Sequence, residues 1–599
     1  MIRVSDYIFR YLADYGIRHV FLVVGGGAMH LNDALKKEKR IRYICTLHEQ
    51  GAAIAAEGYA RASGELAVVS VTSGPGGTNA LTGVLGQWLD SVPVLYLSGQ
   101  VKFETTLASM SELSLRQLGD QEINIVDIVK PITKYAKMIT DPQSVPEELR
   151  KAIRRATSGR PGPVWLDIPL NVQSALIEKP SFAMDDIQEV SPQVSEEHLA
   201  QVVSLLKNAH RPVCVAGHGI RISKTQGLLS ELVNSLGIPV LTTFNGFDLM
   251  ASDTDCFIGR IGTLGNRAGN FALQNADLVI FLGTRNNIRQ VSYNWSSFAR
   301  HAHKIIVDID EAELRKKTVR GDLLIQADIK DFLIKLLKAM PAGLKIDKKW
   351  QDWCCQRKKK YPVVLDEYKT PHKHGIHPYH FIEELTSALD NQAIVVSGNG
   401  TACVGLFQAG IVKPGQRFFW NSGCASMGYG LPAAIGAALA AGREVICLTG
   451  DGSLQMNLQE LQTVKNQRLP LKIFILNNRG YRSIELTQMS FFDGDFIGCN
   501  QESGVSFPES SKLAEVYGLP YHRIDSAANM TQGIREVLSC DGAVLAEVML
   551  HKDYVFAPKV SSQRKADGSM VSQPLENLYP FLDGDEFLSN MLVRDKKDT

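Results

Sequence analysis

The triplet Gly450-Asp451-Gly452, followed downstream by Asn477-Asn478, constrains this chain more than any other feature. Residues 443–449 (REVICLT) and 471–476 (LKIFIL) are short apolar runs, and residues 454–467 between them carry apolar positions at helical spacing. Two such runs joined by a helical crossover predict neighbouring parallel strands. One carboxylate then sits at the C-terminal end of the first strand and two carboxamides at the end of the second, where open α/β sheets bind ligands. Asp and Asn oxygens are hard donors suited to Mg2+, which is commonly shared with substrate phosphates. The flanking glycines let the backbone approach a diphosphate closely. Alone, the same triplet is equally an ordinary strand-to-helix turn.

A second group lies far upstream. A strand over 41–47 runs into CTLHEQG (45–51), a small-residue helix follows at 52–62, and a strand over 66–71 leads into Thr72-Ser73-Gly74-Pro75-Gly76-Gly77-Thr78-Asn79. The pattern predicts a buried Glu49 close to a helix N-terminus, where its charge is favoured. The plainer alternative, a first-turn helix glutamate, does not explain its pairing with TSGPGGTN and the distal GDG…NN.

In this order the motifs resemble the thiamine-diphosphate (ThDP)-dependent acetohydroxyacid (acetolactate) synthase-like carboligase family, which also holds glyoxylate carboligase and cyclohexanedione hydrolase. The resemblance extends from residue 4 to about 555 and includes 20–33 (VFLVVGGGAMHLND), 90–101 (DSVPVLYLSGQV), 159–169 (GRPGPVWLDIP) and 426–437 (SMGYGLPAAIGA). It implies Mg2+ on Asp451, Asn478 and the backbone carbonyl of Gly480, with Gly452 and Ser453 beside the diphosphate. It implies Met427 beneath the bend of the cofactor, where core filling is the plainer role, and Gly25, Gly26, Thr72, Pro75 and Asn79 among the cofactor contacts. Glu49 would meet N1′ of the pyrimidine, with Gln121 as a second catalytic residue. A flavin, FAD, is implied at Arg160, Gly262, Thr263, Arg285, Arg289, Asp308 and Asp328, although family members without FAD keep similar strand ends. The implied reaction is decarboxylation of a 2-oxo acid, with pyruvate the expected donor, and carboligation of the resulting enamine to a second carbonyl. In this family the residues matching Glu49 and Asp451 come from different subunits, which implies a homodimer or homotetramer.

The chain departs from the branched-chain synthases of that family at the acceptor side. Asp120, in Gly119-Asp120-Gln121-Glu122, replaces a pocket phenylalanine; Thr487 replaces a tryptophan; Asn399-Gly400-Thr401 replaces Gln-His-Gln. A more polar pocket reverses the preference for apolar acceptors. The expected acceptor is therefore polar: a second pyruvate, a hydroxylated dione or a keto-sugar, as in relatives that make branched sugars. Two other classes compete. One is C–C bond cleavage of the cyclohexanedione hydrolase type, suggested by QWLDSVP and SGQVK. The other is a non-catalytic subunit, against which intact Glu49, Asp451 and Asn478 argue.

The predicted fold class is α/β, with three doubly wound parallel-sheet domains: 1–175 binding the pyrimidine, 190–340 holding the flavin, and 375–550 holding the diphosphate and Mg2+. A linker is expected at 171–196, a charged connector at 338–377, and a C-terminal tail at 551–599 with little periodicity before 575–592. The first and third units read as possible distant repeats. Over 599 residues the net charge is +1 and no long basic run stands out before the tail, so no nucleic-acid partner is indicated. No apolar stretch is long enough to span a bilayer, and the N-terminal residues carry acidic groups unlike a signal peptide. Ten cysteines without a CxxC pair or metal-ligand spacing read as thiols of a cytoplasmic protein.

Overall fold

A computed structural model describes residues 1–178, 191–564 and 570–593. Three six-stranded sheets, each parallel throughout, form its frame. The first runs Arg42–Cys45, His19–Leu22, Ala67–Val71, Val94–Gln100, Val164–Pro169, Tyr135–Met138. The second runs Phe257–Arg260, Val240–Thr242, Pro212–Ala216, Leu278–Leu282, His303–Asp308, Leu323–Gln326. The third runs Arg417–Phe419, Ile394–Ser397, Val445–Gly450, Leu471–Asn477, Val544–Met549, Tyr521–Ile524. These strands are nearly continuous apolar runs because helices cover both faces. The three sheets give the doubly wound architecture expected from the sequence.

Numbering each domain's strands in chain order, the first and third sheets share the order 2-1-3-4-6-5, while the central sheet is 3-2-1-4-5-6. The shared order is what the repeat reading requires of the two outer units. The central order is that of dinucleotide-binding sheets, which take ligands where the strand order reverses. In the third domain the reversal lies between Ile394–Ser397 and Val445–Gly450, so Asn399, Gly400, Thr401 and Asp451 crown it. In the central domain it lies between Pro212–Ala216 and Leu278–Leu282.

Helices Glu49–Ser63 and Gly430–Ala441 join the first and third domains. Both are rich in small buried residues. A Cβ at Gly58 would run into the Ala433 carbonyl, and one at Gly436 into that of Ala55, so the backbones touch only because both positions lack one. One apolar cluster spans both domains across this crossing.

Several expectations change. The helix expected over 454–467 is two helices, Asp451–Gln455 and Glu460–Gln467. In the break, Asn457 donates from Nδ2 to the Gly428 carbonyl at 2.8 Å instead of continuing a helix. The charged connector contains helix Lys348–Lys360, whose Trp350 and Cys354 are buried in the central domain. Within the expected linker, Leu176–Ile177 pairs antiparallel with Ile2–Arg3, and residues 179–190 lie outside those described. The tail docks on the central domain: Leu575 is buried there, and Glu576 pairs with Arg300 at 2.8 Å and accepts from Gln274 at 2.6 Å. Polar spacing gives no periodic signal for a segment held this way, mostly through single side chains and backbone groups.

Candidate functional site

Strands Val445–Gly450 and Leu471–Asn477 pair with Gly450 opposite Leu476, so Asp451 and Asn478 leave adjacent strand ends. Asp451 opens its helix and is buried. Its Oδ1 accepts the Gly452 N–H at 2.9 Å and its Oδ2 the Gly480 N–H at 3.1 Å. Burial pushes its pKa up to about 7 against these bonds, as for a carboxylate that lacks a countercharge. Asn478 is also buried. Its Nδ2 donates to Thr401 Oγ1 and to the Tyr554 hydroxyl, both at 3.2 Å, and its Oδ1 is buried with no partner. Leaving such an oxygen unsatisfied costs about 1–3 kcal/mol. An oxygen-only donor set with one orphaned oxygen and one desolvated carboxylate fits a hard cation such as Mg2+. Gly480 has φ 151°, and a side chain there would strike the Cys499 carbonyl.

Met427 sits on the loop facing these groups and is 42% exposed. Gly428 N–H donates to Ser453 Oγ at 3.0 Å, Asn457 holds the Gly428 carbonyl, and Asn399 Nδ2 donates to the Ser426 carbonyl at 2.8 Å. Ser453, Met427 and Asn399 are thus tied into one rim with Asp451. Gly452 lies against the rings of Tyr481 and Phe507.

In the first domain Glu49 is the first residue of its helix, capped by His48, whose Nδ1 accepts the Gln50 N–H at 3.0 Å. Glu49 is 8% exposed, and its Oε2 accepts from Asn79 Nδ2 at 3.0 Å. Asn79 closes the short helix Pro75–Asn79. Thr72 Oγ1 accepts the Gly27 N–H at 3.1 Å, and Gly25 packs on the Thr72 side chain. Gly26 opens the adjoining turn. The Gln121 carbonyl packs on Gly74, and Gln121 has φ 56°, an uncommon conformation that tends to mark functional turns. Gly25, Gly26, Thr72, Pro75, Asn79, Gln121 and Glu49 therefore gather at one end of the first sheet. Within one chain the third-domain carboxylate that reaches this segment is Glu460, whose Oε1 accepts the Leu47 N–H at 3.1 Å, and not Asp451.

A cavity of about 1160 Å³ opens among all three domains. Arg160, Arg285, Asp308 and Asp328 line it; Glu49, Asp451 and Asn478 do not. It begins at the reversal point of the central sheet, where Gly217 and Gly219 pack directly on Gly283. Arg160 is held by Asp310 and Glu313, both at 2.9 Å, and Arg285 by Asp90 at 3.4 Å. Burial pushes the pKa of Asp308 up to about 6. Pockets for drug-sized ligands measure about 300–1,000 Å³ and this one is slightly larger, so the space, the dinucleotide-type strand order and the paired charges fit FAD. Gly262, Thr263 and Arg289 gather with one another rather than on the cavity wall. Thr263 donates from N and Oγ1 to the Arg289 carbonyl at 2.9 and 2.8 Å, and the Arg289 guanidinium lies 4.8 Å from the Phe244 ring centroid. Sequence reasoning missed His218, Asn245 and Ser422 on the cavity wall. His218 Nδ1 lies 3.0 Å from the Asn245 carbonyl, and burial lowers its pKa to about 3. Its Gly-His-Gly setting after a strand was the available signal.

Three family models match the chain in order. They are thiamine pyrophosphate enzyme, N-terminal TPP binding domain, at residues 2–127; the central domain at 199–336; and the C-terminal TPP binding domain at 398–548. The chain is 31% identical over 557 residues to the acetolactate synthase isozyme 1 large subunit of Escherichia coli (strain K12), covering 93% of this chain and 95% of that one. It is 32% identical over 573 residues to the acetolactate synthase large subunit of Lactococcus lactis, covering 94% and 95%. It is 31% identical over 570 residues to the chloroplastic acetolactate synthase of Arabidopsis thaliana, covering 92% and 82%.

Proposed function

The chain belongs to the thiamine pyrophosphate enzyme family, and on that premise we propose that it is a ThDP- and Mg2+-dependent carboligase of the acetolactate synthase type, with pyruvate as donor and a polar carbonyl compound as acceptor. The observation that carries the reading is the orphaned Oδ1 of Asn478 beside desolvated Asp451 at adjacent strand ends. The named relatives are all acetolactate synthases, which favours carboligation over hydrolytic cleavage.

Asp451, Asn478 and the Gly480 carbonyl would hold Mg2+, and Ser453, Gly452 and Met427 would seat the cofactor. Bound ThDP supplies the electron sink that lets a 2-oxo acid lose CO2 and its remaining carbons join a second carbonyl. Glu49, oriented by Asn79, would hold a proton at the pyrimidine N1′. Gln121, fixed by its backbone, would orient the reacting carbonyls. FAD in the large cavity would serve a structural role, as the family resemblance implies.

On the acceptor side Asp120 is exposed. Thr487 is exposed too, and its hydroxyl donates to the Ser483 carbonyl of its own helix at 3.0 Å. Neither offers the apolar surface that would reward 2-oxobutyrate. The exposure of Met427, Val24 and Leu47 in the single chain supports a homodimer or homotetramer with shared sites. All ten cysteines are free thiols, in keeping with a cytoplasmic setting. Among the described residues no helix is long and apolar enough to cross a membrane. The test is mass spectrometry of products from 13C-pyruvate with ThDP, Mg2+ and a panel of carbonyl acceptors. Acetolactate or a two-carbon adduct of a polar acceptor is expected. Cleavage of a cyclic dione with no ligation product would overturn the reading.

A further inference from the structure

One carboxylate touches all three domains. Asp90 ends helix Leu81–Asp90 of the first domain, and its side chain is fully buried. Its Oδ2 accepts from Arg61 Nη2 at 2.8 Å, near the C-terminal end of the helix that Glu49 opens. Its Oδ1 accepts from Arg285 Nη2 of the central domain at 3.4 Å, and its Oδ2 takes the Gly423 N–H of the third domain, also at 3.4 Å. A Cβ at Gly423 would stand 2.7 Å from Asp90 Oδ1, so the third domain presents bare backbone to this carboxylate. Gly423 belongs to residues 421–429, the loop that carries Met427.

The hold on that loop is loose. A guanidinium–carboxylate contact usually measures about 2.7–2.9 Å, and Arg285 stands further off. The junction beside it is under-bonded as well. Asn421 and Tyr429, at the two ends of the loop, are buried, yet neither end of the Asn421 carboxamide nor the Tyr429 hydroxyl has a hydrogen bond. Glu57 Oε1 accepts from Arg61 Nε at 2.8 Å, while its Oε2 is buried without a partner. Asn421 Nδ2 and Glu57 Oε2 both lie against Gly86, 2.6 and 3.0 Å from where its Cβ would stand, so an unbonded donor and an unbonded acceptor are near neighbours. Buried polar groups without bonds favour a rearrangement that restores them. Arg285 is the member of this set with a second partner available. Its side chain is 27% exposed and lines the large cavity, whereas Arg61 is enclosed between Glu57 and Asp90. An anion in the cavity would draw Arg285 and leave the charge of Asp90 to Arg61 and the Gly423 N–H.

We propose that Asp90 is a positioning residue that couples the two cofactor sites: a diphosphate-bearing cofactor in the large cavity settles residues 421–429 and so tightens ThDP binding. The inference rests on the FAD and ThDP readings of the two sites. The differential contact is Arg285, which pairs with Asp90 when the cavity is empty and with the anion when it is filled. The element that responds is the 421–429 loop, whose unbonded Asn421 and Tyr429 mark the arrangement without ligand. Linkage makes the effect reciprocal, so ThDP with Mg2+ tightens FAD by the same factor.

The test uses the full-length protein stripped of both cofactors. Calorimetry measures ThDP binding in the presence of Mg2+, once without FAD and once with saturating FAD. FAD should tighten ThDP about fivefold or more, the lower end of the usual range for coupled sites, and should slow amide hydrogen exchange across 421–429. In Asp90→Asn the factor should fall to near one. If that variant fails to fold, Arg285→Gln decides: at saturating FAD its ThDP affinity should match the value without FAD. Equal ThDP affinity in wild type with and without bound FAD, or full coupling retained in Arg285→Gln, would overturn the inference and leave both sites standing. A wild type that takes up no FAD would instead remove the flavin reading, and this inference with it.

Discussion

The Tyr554 hydroxyl, 3.2 Å from Asn478 Nδ2, decides which end of that carboxamide is left without a partner. Tyr554 is itself buried and pairs with Thr401 Oγ1 at 2.9 Å, so the amide nitrogen is engaged twice and Oδ1 stays orphaned. Removing the hydroxyl leaves Thr401 as the only acceptor and frees the amide to flip. Tyr554→Phe should therefore weaken Mg2+-dependent ThDP binding about 5–10-fold, the worth of one hydrogen bond near 1 kcal/mol. Calorimetry with the folded variant checks this, and an unchanged affinity would remove Tyr554 from the metal seat.

Glu49 is anchored by Asn79 and lies at a different strand end from Asp451. Glu49→Gln preserves size and hydrogen bonding but holds no exchangeable charge. Turnover should fall about 100–10,000-fold, the usual scale for a lost proton-transfer group, while ThDP and Mg2+ still bind. Deuterium exchange at the cofactor's thiazolium C2 is the discriminating measurement; exchange as fast as wild type would reassign Glu49.

These pieces were legible to different depths. Asp451, Asn478 and Glu49 could be read because glycines and small residues mark strand and helix ends locally, and the apolar runs around them set a parallel sheet. The hold of Tyr554 and Thr401 on Asn478 could not, because it is a tertiary contact across some 75 residues of chain. The neighbours of Asn457 keep helical spacing, whereas the Gly428 carbonyl competes for its side chain. Arg289 falls among the expected flavin residues by position in a motif, and the structure aims it at Phe244. The cavity wall at His218 needed the strand order of the central sheet, which periodicity does not reveal.

Asp308 gives a pH signature for the flavin cavity. Its native pKa is raised from 3.8 to about 6 by burial. Between about pH 4 and pH 6 the folded protein keeps a proton that the unfolded chain has lost, so this group lowers stability as pH rises through that window and leaves it lower above. Asp308→Asn should stabilise flavin-free protein above pH 6 by at most about 3 kcal/mol, with the difference closing toward pH 4. Thermal unfolding across that range is the measurement; parallel curves for both proteins would show that Asp308 ionises freely.

Sharing of sites between subunits is tested by mixing. Within one chain Glu460, not Asp451, meets the Glu49 segment. Co-refolded Glu49→Gln and Asp451→Ala subunits should regain part of the activity, since one interface of each mixed dimer carries both intact residues. Mixed dimers that are proven to form yet stay inactive would place both residues in one chain's site.

The acceptor preference follows from Thr487. Its hydroxyl is spent on the Ser483 carbonyl within helix Arg482–Phe491, and it presents only a methyl group outward. One extra methylene is worth about 1–3 kcal/mol even in a fitted pocket, and here no indole surface is present to supply that gain. With equal pyruvate and 2-oxobutyrate, wild type should show no preference for the acetohydroxybutyrate product. Asp120, acceptor-only when ionised, adds a group that pairs with a hydroxyl and repels a second carboxylate. Arg285 is paired with Asp90 and Arg289 lies on Phe244, so each of these cations already has a partner of its own. Hydroxylated acceptors should therefore outcompete a second pyruvate, and Asp120→Asn should narrow that margin. Thr487→Trp should shift the product ratio several-fold toward acetohydroxybutyrate. A wild-type ratio strongly favouring that product would restore a branched-chain role, and an unmoved ratio in Thr487→Trp would take residue 487 out of the pocket.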